Sequence, residues 1–269
     1  MSDSETISPR LSRESGRNIF GTDAAGYDAA RPGYPAELYE TVAAYAGSPF
    51  RAIGEIGPGT GLATSALLEF EPECYVAFEP DTALAAYLGG RFANVDVVND
   101  DFCVADVEGP FDLIGAASCF HWLDPEIAMA KARSLLRPGG TLAIWWNVYR
   151  EAGVGDEFAD AMVPLLAGIP LPPSEGKGRH YSFDRDLHEG HLAGAGFTRI
   201  EHHVFRRERA LTGEEMRSLY ATFSLVRYLS EDRRKALLDA IGDLVETRFG
   251  GAAPNVLLSP LYLATAPAK

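Results

Sequence analysis

Apolar and polar positions change period along this chain. Between residues 51 and 146, short apolar runs bounded by turn residues alternate with stretches whose apolar residues recur every three or four positions. The first pattern reads as buried strand and the second as amphipathic helix. Strand 51–56 leads into a helix at 60–70, and strand 74–78 into a helix at 80–89. Further strands fall at 95–98, 111–116 and 141–146. The helix before the last of these takes Asp124 as N-cap with Pro125 at its first position, and stops at Arg137-Pro-Gly-Gly140. Strands interleaved with helices over ~100 residues predict a parallel, doubly wound α/β sheet.

The alternation breaks after Asn147. A helical stretch at 156–166 precedes a Pro/Gly-rich loop from Pro170 to Gly178, and another helix spans 188–195. A strand at 197–210 runs into Thr212-Gly-Glu-Glu215, a capping box that opens a helix to about Leu225. A second helix starts at Ser230 and carries Leu237, Ile241, Leu244 and Val245 at helical spacing, before a closing strand at 256–264. The expected organisation is a disordered tail at 1–17, a helical lid at 18–48 and a core at 49–150. A cap insert at 151–195 follows, and 196–269 completes the sheet with a pair of cap helices.

The candidate chemistry sits where the first strand ends. Residues 52–61 read Ala-Ile-Gly-Glu-Ile-Gly-Pro-Gly-Thr-Gly, with Gly57, Gly59 and Gly61 at alternate positions before an amphipathic stretch. A strand that turns through glycines into a helix is where an α/β sheet grips a nucleotide-like ligand. The dinucleotide pattern G-x-G-x-x-G requires glycine at 62, where Leu62 stands, and no Gly-Lys-Ser/Thr completes a P-loop. Glu55, inside the motif, repels phosphate and suits an amino group. S-adenosylmethionine (SAM) has an ammonium, a sulfonium and no phosphate. Glu79 ends the second strand 18 residues after Gly61, close to the ~20-residue offset at which an acid accepts ribose hydroxyls. Pro80 and Asp81 follow it as a helix start.

Composition narrows the partners. A formal net charge of −14 disfavours nucleic acid, and Arg206-Arg207-Glu208-Arg209 is a solvated strand end. No apolar run approaches the ~18 residues of a membrane span, and the start of the chain lacks the pattern of a signal peptide. Three scattered cysteines, Cys74, Cys103 and Cys119, suit a reducing cytoplasm. His188 and His191 have ligand-like spacing without a convincing third ligand, so no metal is expected.

The ordered set Glu55-Ile-Gly-Pro-Gly-Thr-Gly61, Glu79, Asp101-Phe102, Phe111-Asp-Leu-Ile114 and Leu135-Leu-Arg-Pro-Gly-Gly140 resembles the class I SAM-dependent methyltransferases. Tyr27-Asp-Ala-Ala-Arg31-Pro-Gly-Tyr-Pro35, Phe120-His-Trp122 and Trp146-Asn147 resemble its small-molecule branch of trans-aconitate methyltransferase-like proteins. The resemblance implies a mostly parallel, seven-stranded, Rossmann-like sheet with a small helical cap. It implies SAM as cofactor, S-adenosylhomocysteine as product, a small-molecule acceptor and no nucleic-acid or membrane partner. It places Asp101 and Phe102 against the adenine, Ala117 and Ser118 along the methionine moiety, and Tyr27 and Arg31 in a lid over the cofactor.

Arg31 matches the methionine carboxylate, or else stacks on a neighbouring tyrosine. His121 is the candidate general base, with a structural histidine as the alternative. Trp122, Trp146, Tyr181, Tyr220, Phe223 and Arg227 are candidates for the substrate wall, although helical core packing explains the aromatic ones equally well. Two other functions stay open at this level: a SAM-binding protein without methyl transfer, cyclase-like or regulatory, and a nicotinamide-dependent dehydrogenase.

Overall fold

The computed structural model describes residues 24–149, 156–169 and 180–268. The polar tail at 1–17 and the loop from Pro170 to Gly178 lie outside the described residues. Seven strands form one sheet in the order β3-β2-β1-β4-β5-β7-β6. They are β1 (Ala52–Ile56), β2 (Cys74–Phe78), β3 (Asp96–Val98), β4 (Phe111–Ala117), β5 (Leu136–Trp145), β6 (Thr198–Thr212) and β7 (Ala252–Thr265). The first five pair in parallel, and β7 runs antiparallel to both β5 and β6.

β1 and β4 are buried almost throughout, as central strands of a sheet covered on both faces must be. Asp112, at the start of β4, fixes the amino ends of the parallel strands. Its Oδ2 accepts from the N–H groups of Arg51 and Ala52, each at 2.8 Å, and its Oδ1 accepts from Arg137. Gly115 leaves room for Trp145, since a Cβ there would lie 3.0 Å from that ring.

Helices cover the faces. α1 (Ala24–Ala30) and α2 (Ala36–Ala46) come first, then α3 (Thr64–Leu68), α4 (Thr82–Arg91) and α5 (Pro125–Leu135). After β5 come α6 (Glu157–Met162) and α7 (Arg185–Gly194). Between β6 and β7 lie α8 (Gly213–Ala221), α9 (Ser224–Arg227) and α10 (Glu231–Phe249). Asp124 caps α5 through the N–H groups of Glu126 and Ile127, and Thr212 with Glu215 closes the expected capping box on α8. α6 and α8–α10 pack Phe158, Met216, Tyr220 and Ile241 into a hydrophobic cluster with Leu211 of β6 and with Ala253 and Leu257 of β7.

Several boundaries differ from expectation, three of them with a local cause. The helix after β1 starts at Thr64 rather than residue 60, because the glycine loop continues through a turn in which Gly61 has φ +90°. β5 starts at Leu136, which pairs with Phe111, and absorbs Arg137-Pro-Gly-Gly140 as an irregularity. The helix expected to reach Leu225 breaks at Thr222, whose hydroxyl donates back to the Leu219 carbonyl at 2.5 Å.

His188 sits 1% exposed among Trp146, Tyr181 and Tyr262, with ring centroids 5.2, 4.5 and 4.6 Å away. Burial pushes its pKa down from 6.5 to about 4, helped by nearby His191 and His202. The folded state therefore holds a neutral ring that the unfolded chain protonates below pH 6.5. Relative to His188→Phe, the wild-type chain should lose about 3 kcal/mol of stability as pH falls from about 6.5 to about 4. Urea unfolding of both chains across that range measures it, and a pH-independent difference contradicts it.

Candidate active site

A cavity of about 680 Å³ opens at the carboxyl ends of β1, β2 and β4. The carboxyl edge of a doubly wound sheet is where its ligands bind. The loop after β1 forms one wall through Gly57, Pro58, Gly59 and Thr60. The tip of β2 adds Glu79, Pro80 and Asp81, and the turn after β3 adds Asp100, Asp101 and Phe102. Ala117, Ser118 and Cys119 line it from the end of β4, and Tyr27 and Tyr34 face it from the N-terminal segment.

Gly57, Gly59 and Gly61 have φ of +58°, +60° and +90°, a region that costs an L side chain roughly 1–2 kcal/mol. A Cβ on Gly61 would lie 2.4 Å from Phe92, whereas one on Gly59 would meet nothing within 4 Å. Gly59 is thus the residue whose missing side chain leaves room for a ligand. Its N–H donates to Glu79 Oε2 at 3.0 Å, and Glu79 Oε1 accepts from Asp81 N–H at 3.0 Å. Glu79 is 5% exposed, and burial pushes its pKa up to about 7 against these two hydrogen bonds. Asp81 caps α4 by accepting from Ala83 and Leu84 N–H. Asn99 ties the β3 turn to β2 by donating to the Glu79 carbonyl at 2.8 Å.

At the other end of the cavity, Phe102 is 1% exposed and meets Phe78 edge-on at 5.1 Å. The Lys131 ammonium lies 5.4 Å from the centroid of the Phe102 ring. Asp101 Oδ1 accepts from Cys103 N–H at 2.8 Å, which fixes the turn.

Residues 55–142 match the methyltransferase domain family. The chain carries a class I, SAM-dependent methyltransferase domain. An uncharacterised methyltransferase of Schizosaccharomyces pombe is 24% identical over 230 residues, covering 85% of this chain and 87% of the relative. An uncharacterised methyltransferase of Mycobacterium tuberculosis is 29% identical over 247 residues, covering 90% and 91%. Among solved structures, phosphoethanolamine N-methyltransferase 2 of Haemonchus contortus, in complex with S-adenosyl-L-methionine, superposes with TM-score 0.55 at 17% identity over 92% of this chain and 57% of that one. The [4+2]-cyclase SpnF superposes with TM-score 0.54 at 18% identity over 97% and 99%. Both share the fold. The domain match sets aside the dehydrogenase alternative.

In this methyltransferase Tyr27, Gly57, Gly59, Glu79, Pro80, Asp101, Phe102, Ala117, Ser118 and Trp122 come together around the cavity. Other expected site residues lie elsewhere. Gly61 is packed against Phe92 and Leu88. Glu55 is 0% exposed behind the loop, where its Oε2 accepts from the Thr64 and Tyr75 hydroxyls at 2.6 Å each. Its side chain sits beneath the cradle, and burial pushes its pKa up to about 7.

Arg31 turns away from the cavity. Its guanidinium lies over the rings of Tyr27, Tyr149 and Phe223, at 5.2, 4.9 and 4.5 Å, and its Nε donates to Thr222 Oγ1 at 2.7 Å. Stacking, the alternative reading, is the one the structure adopts. His121 Nδ1 accepts from the Trp146 indole N–H at 3.2 Å, so the neutral ring carries its proton on Nε2. His121 is not among the residues that line the cavity.

The substrate wall keeps only Trp122 of its six candidates. Trp146 is 1% exposed and packs on Tyr181, His188 and Tyr262. Tyr220 and Phe223 belong to the cap cluster, and Arg227 lies 6.0 Å over the Tyr27 ring. Helical spacing cannot tell a core face from a pocket face, which is why these were included. Sequence reasoning missed Tyr34, Asn99 and Asp124 as lining residues. Tyr34 stood within the Arg31–Pro35 motif, which was its one signal.

Glu55→Gln keeps an oxygen that accepts from Thr64 and Tyr75 and removes the titration. A carboxyl with a raised folded pKa stabilises below its unfolded pKa and loses that contribution as pH rises through the folded one. The variant should therefore gain on the wild-type chain by about 2–3 kcal/mol between pH ~4.5 and pH ~7.5. Unfolding curves at the two ends of that range decide it, and an unchanged difference contradicts it.

Proposed function

We propose that this SAM-dependent methyltransferase acts on a small molecule held between the cofactor and the lid–cap face, in the manner of the trans-aconitate methyltransferase-like branch. The reading is carried by one observation: Gly59 leaves open space beside a buried carboxylate, Glu79, that it also anchors. A cavity with Glu79, Asp81, Asp100 and Asp101 on its wall fits a cationic nucleoside and opposes a phosphate.

Glu79 accepts the ribose hydroxyls through lone pairs left beside its two backbone donors. Phe102 and Asp101 hold the adenine, by an apolar face and a carboxylate acceptor respectively. Pro80 adds an apolar edge to the ribose side. Ala117 and Ser118 lie along the methionine moiety. Glu55 acts from beneath the loop as a charge that favours the ammonium.

SAM supplies an electrophilic sulfonium methyl and a neutral thioether leaving group. The chain's contribution is alignment of the nucleophile at about 3–3.5 Å and exclusion of water. Tyr27, Tyr34 and Trp122 provide the aromatic walls for that. With His121 committed to Trp146, an acceptor that is already deprotonated, or that loses its proton to solvent, suits the site. We place the lid at 18–48, the core at 49–150, and the cap in 151–195 and the helices of 196–269. The three free cysteines support a cytoplasmic setting.

A second reading, SAM binding without transfer, is favoured by the same commitment of His121, and the SpnF neighbour is itself a cyclase. Incubation with methyl-labelled SAM and pooled metabolite acceptors separates the two: label in a small-molecule product supports transfer. Tight binding with no labelled product from any pool supports the second reading.

Glu79→Ala should weaken S-adenosylhomocysteine binding by about 10–100-fold, the range of one or two charge-assisted hydrogen bonds. Gly59→Val should reduce it further, since its side chain points into the open space. Calorimetric titration of both variants is the check, and wild-type affinity in either one contradicts the assignment of this cavity.

A further inference from the structure

The segment Arg31-Pro-Gly-Tyr-Pro35 crosses from α1 to α2, and one side chain just past the end of β5 holds it. Asn147 follows β5. Its Nδ2 donates to the carbonyls of Pro32 at 3.1 Å and Gly33 at 3.4 Å. Carbonyls only accept, so the amide orientation is fixed and both of its donors are spent. Its Oδ1 accepts from the hydroxyl of Ser259, a β7 residue that is 1% exposed, at 2.7 Å. Its backbone N–H donates to Ser118 Oγ at 3.2 Å, and the same oxygen accepts from the Tyr34 hydroxyl at 3.0 Å.

Asn147 therefore grips the crossing segment twice: directly at residues 32 and 33, and through Ser118 at Tyr34. The Ser118 end is itself unusual. Ser118 has φ +53°, in the left-handed region that a serine adopts at a cost of roughly 1–2 kcal/mol. Its N–H is held by the Trp145 carbonyl at 2.7 Å. That conformation turns the hydroxyl toward both Asn147 and Tyr34. Ser118 and Tyr34 line the cavity, whereas Asn147 does not. Arg207 adds a second hold on the Gly33 carbonyl.

We propose that Asn147 is a positioning residue. It straps residues 31–35 across the cleft, sets the Tyr34 ring as its wall, and thereby governs how slowly the cofactor product leaves. The proposal rests on the reading of the cavity as the SAM site. Asn147 touches no ligand in this account. Its effect reaches the cavity through the backbone of the crossing segment and the Ser118–Tyr34 hydrogen bond.

The test is stopped-flow release of S-adenosylhomocysteine from the full-length chain, with a thermal unfolding midpoint for each variant. Asn147→Asp keeps the size of the side chain and turns a carboxylate on two carbonyls. It should speed release about tenfold or more while the association rate stays within about twofold, since mutational effects fall mainly on dissociation. Tyr34→Phe keeps the ring and removes the hydroxyl, and should speed release about threefold, as loss of one neutral hydrogen bond does. Combined with Asn147→Ala it should add less than its separate effect, because both loosen the same crossing segment, at residues 32–33 and at Tyr34.

A merely structural Asn147 would lower the unfolding midpoint and leave the release rate unchanged. Release within about twofold of wild type in Asn147→Asp overturns the proposal. Should that variant fail to fold, Ser259→Ala and Tyr34→Phe give the same readout, and unchanged release in both overturns it. A wild-type chain that binds no S-adenosylhomocysteine overturns the reading of the cavity and this inference with it, whereas wild-type binding with unaltered variants overturns this inference alone.

Discussion

A single hydrogen bond, from the Gly59 N–H to Glu79 across the tips of β1 and β2, is the constraint on which the site depends. It demands a left-handed glycine on one strand's loop and a buried acid at the end of the next. Placing a carboxylate at 5% exposure in a loop region is unfavourable unless its oxygens find donors. Glu79 has two, both backbone N–H groups, and they fix the loop and the start of α4 at once. Glu55 lies close enough beneath the loop to feel the charge of Glu79, and burial holds both near a pKa of 7. A cavity built over two such carboxylates favours a ligand that brings positive charge and hydroxyl donors.

The sheet supplies fixed points, and the flanking segments supply closure. β1, β2 and β4 end along one edge, so the residues after each strand meet without any long connection. What lies over that edge comes from outside the parallel core. Residues 27 and 34 come from the N-terminal segment, tied to the cap by Arg31 and to the sheet by Asn147. The helices between β6 and β7 share a hydrophobic cluster with Leu211 of β6 and with Ala253 and Leu257 of β7. The covering segments are thus anchored to the sheet by apolar packing, through Leu38, Tyr39 and Val42 on one side and Leu211, Ala253 and Leu257 on the other, while polar contacts set their position over the cradle. A scaffold of this kind keeps one ligand site constant while the surface facing the acceptor varies.

Much of this was legible in the sequence because it is local. Strand, glycine loop and helix follow one another within residues 52–68, and the caps at Asp124 and Thr212 declare themselves by their neighbours. Glu79 was readable from spacing, since a β-α-β unit fixes where the next strand ends. The side-chain directions of Glu55, Arg31 and His121 were not readable, for a common reason. Each stands in the right segment, but its side-chain direction depends on partners far away in sequence. Thr64 and Tyr75 draw Glu55 inward, Thr222 and Phe223 draw Arg31 to the cap, and Trp146 occupies His121. The aromatic wall failed differently, because Trp146 and Tyr220 obey a periodicity that core and pocket share. The contacts of Asn147 with residues 32 and 33 leave no local pattern in sequence at all.

The most direct measurement is a crystal structure of the chain with S-adenosylhomocysteine bound. The account predicts both ribose hydroxyls on the Glu79 carboxylate, the adenine against Phe102, and the amino-acid tail passing Gly59 toward Ser118. A nucleoside bound elsewhere, or one whose ribose makes no hydrogen bond to Glu79, would contradict it.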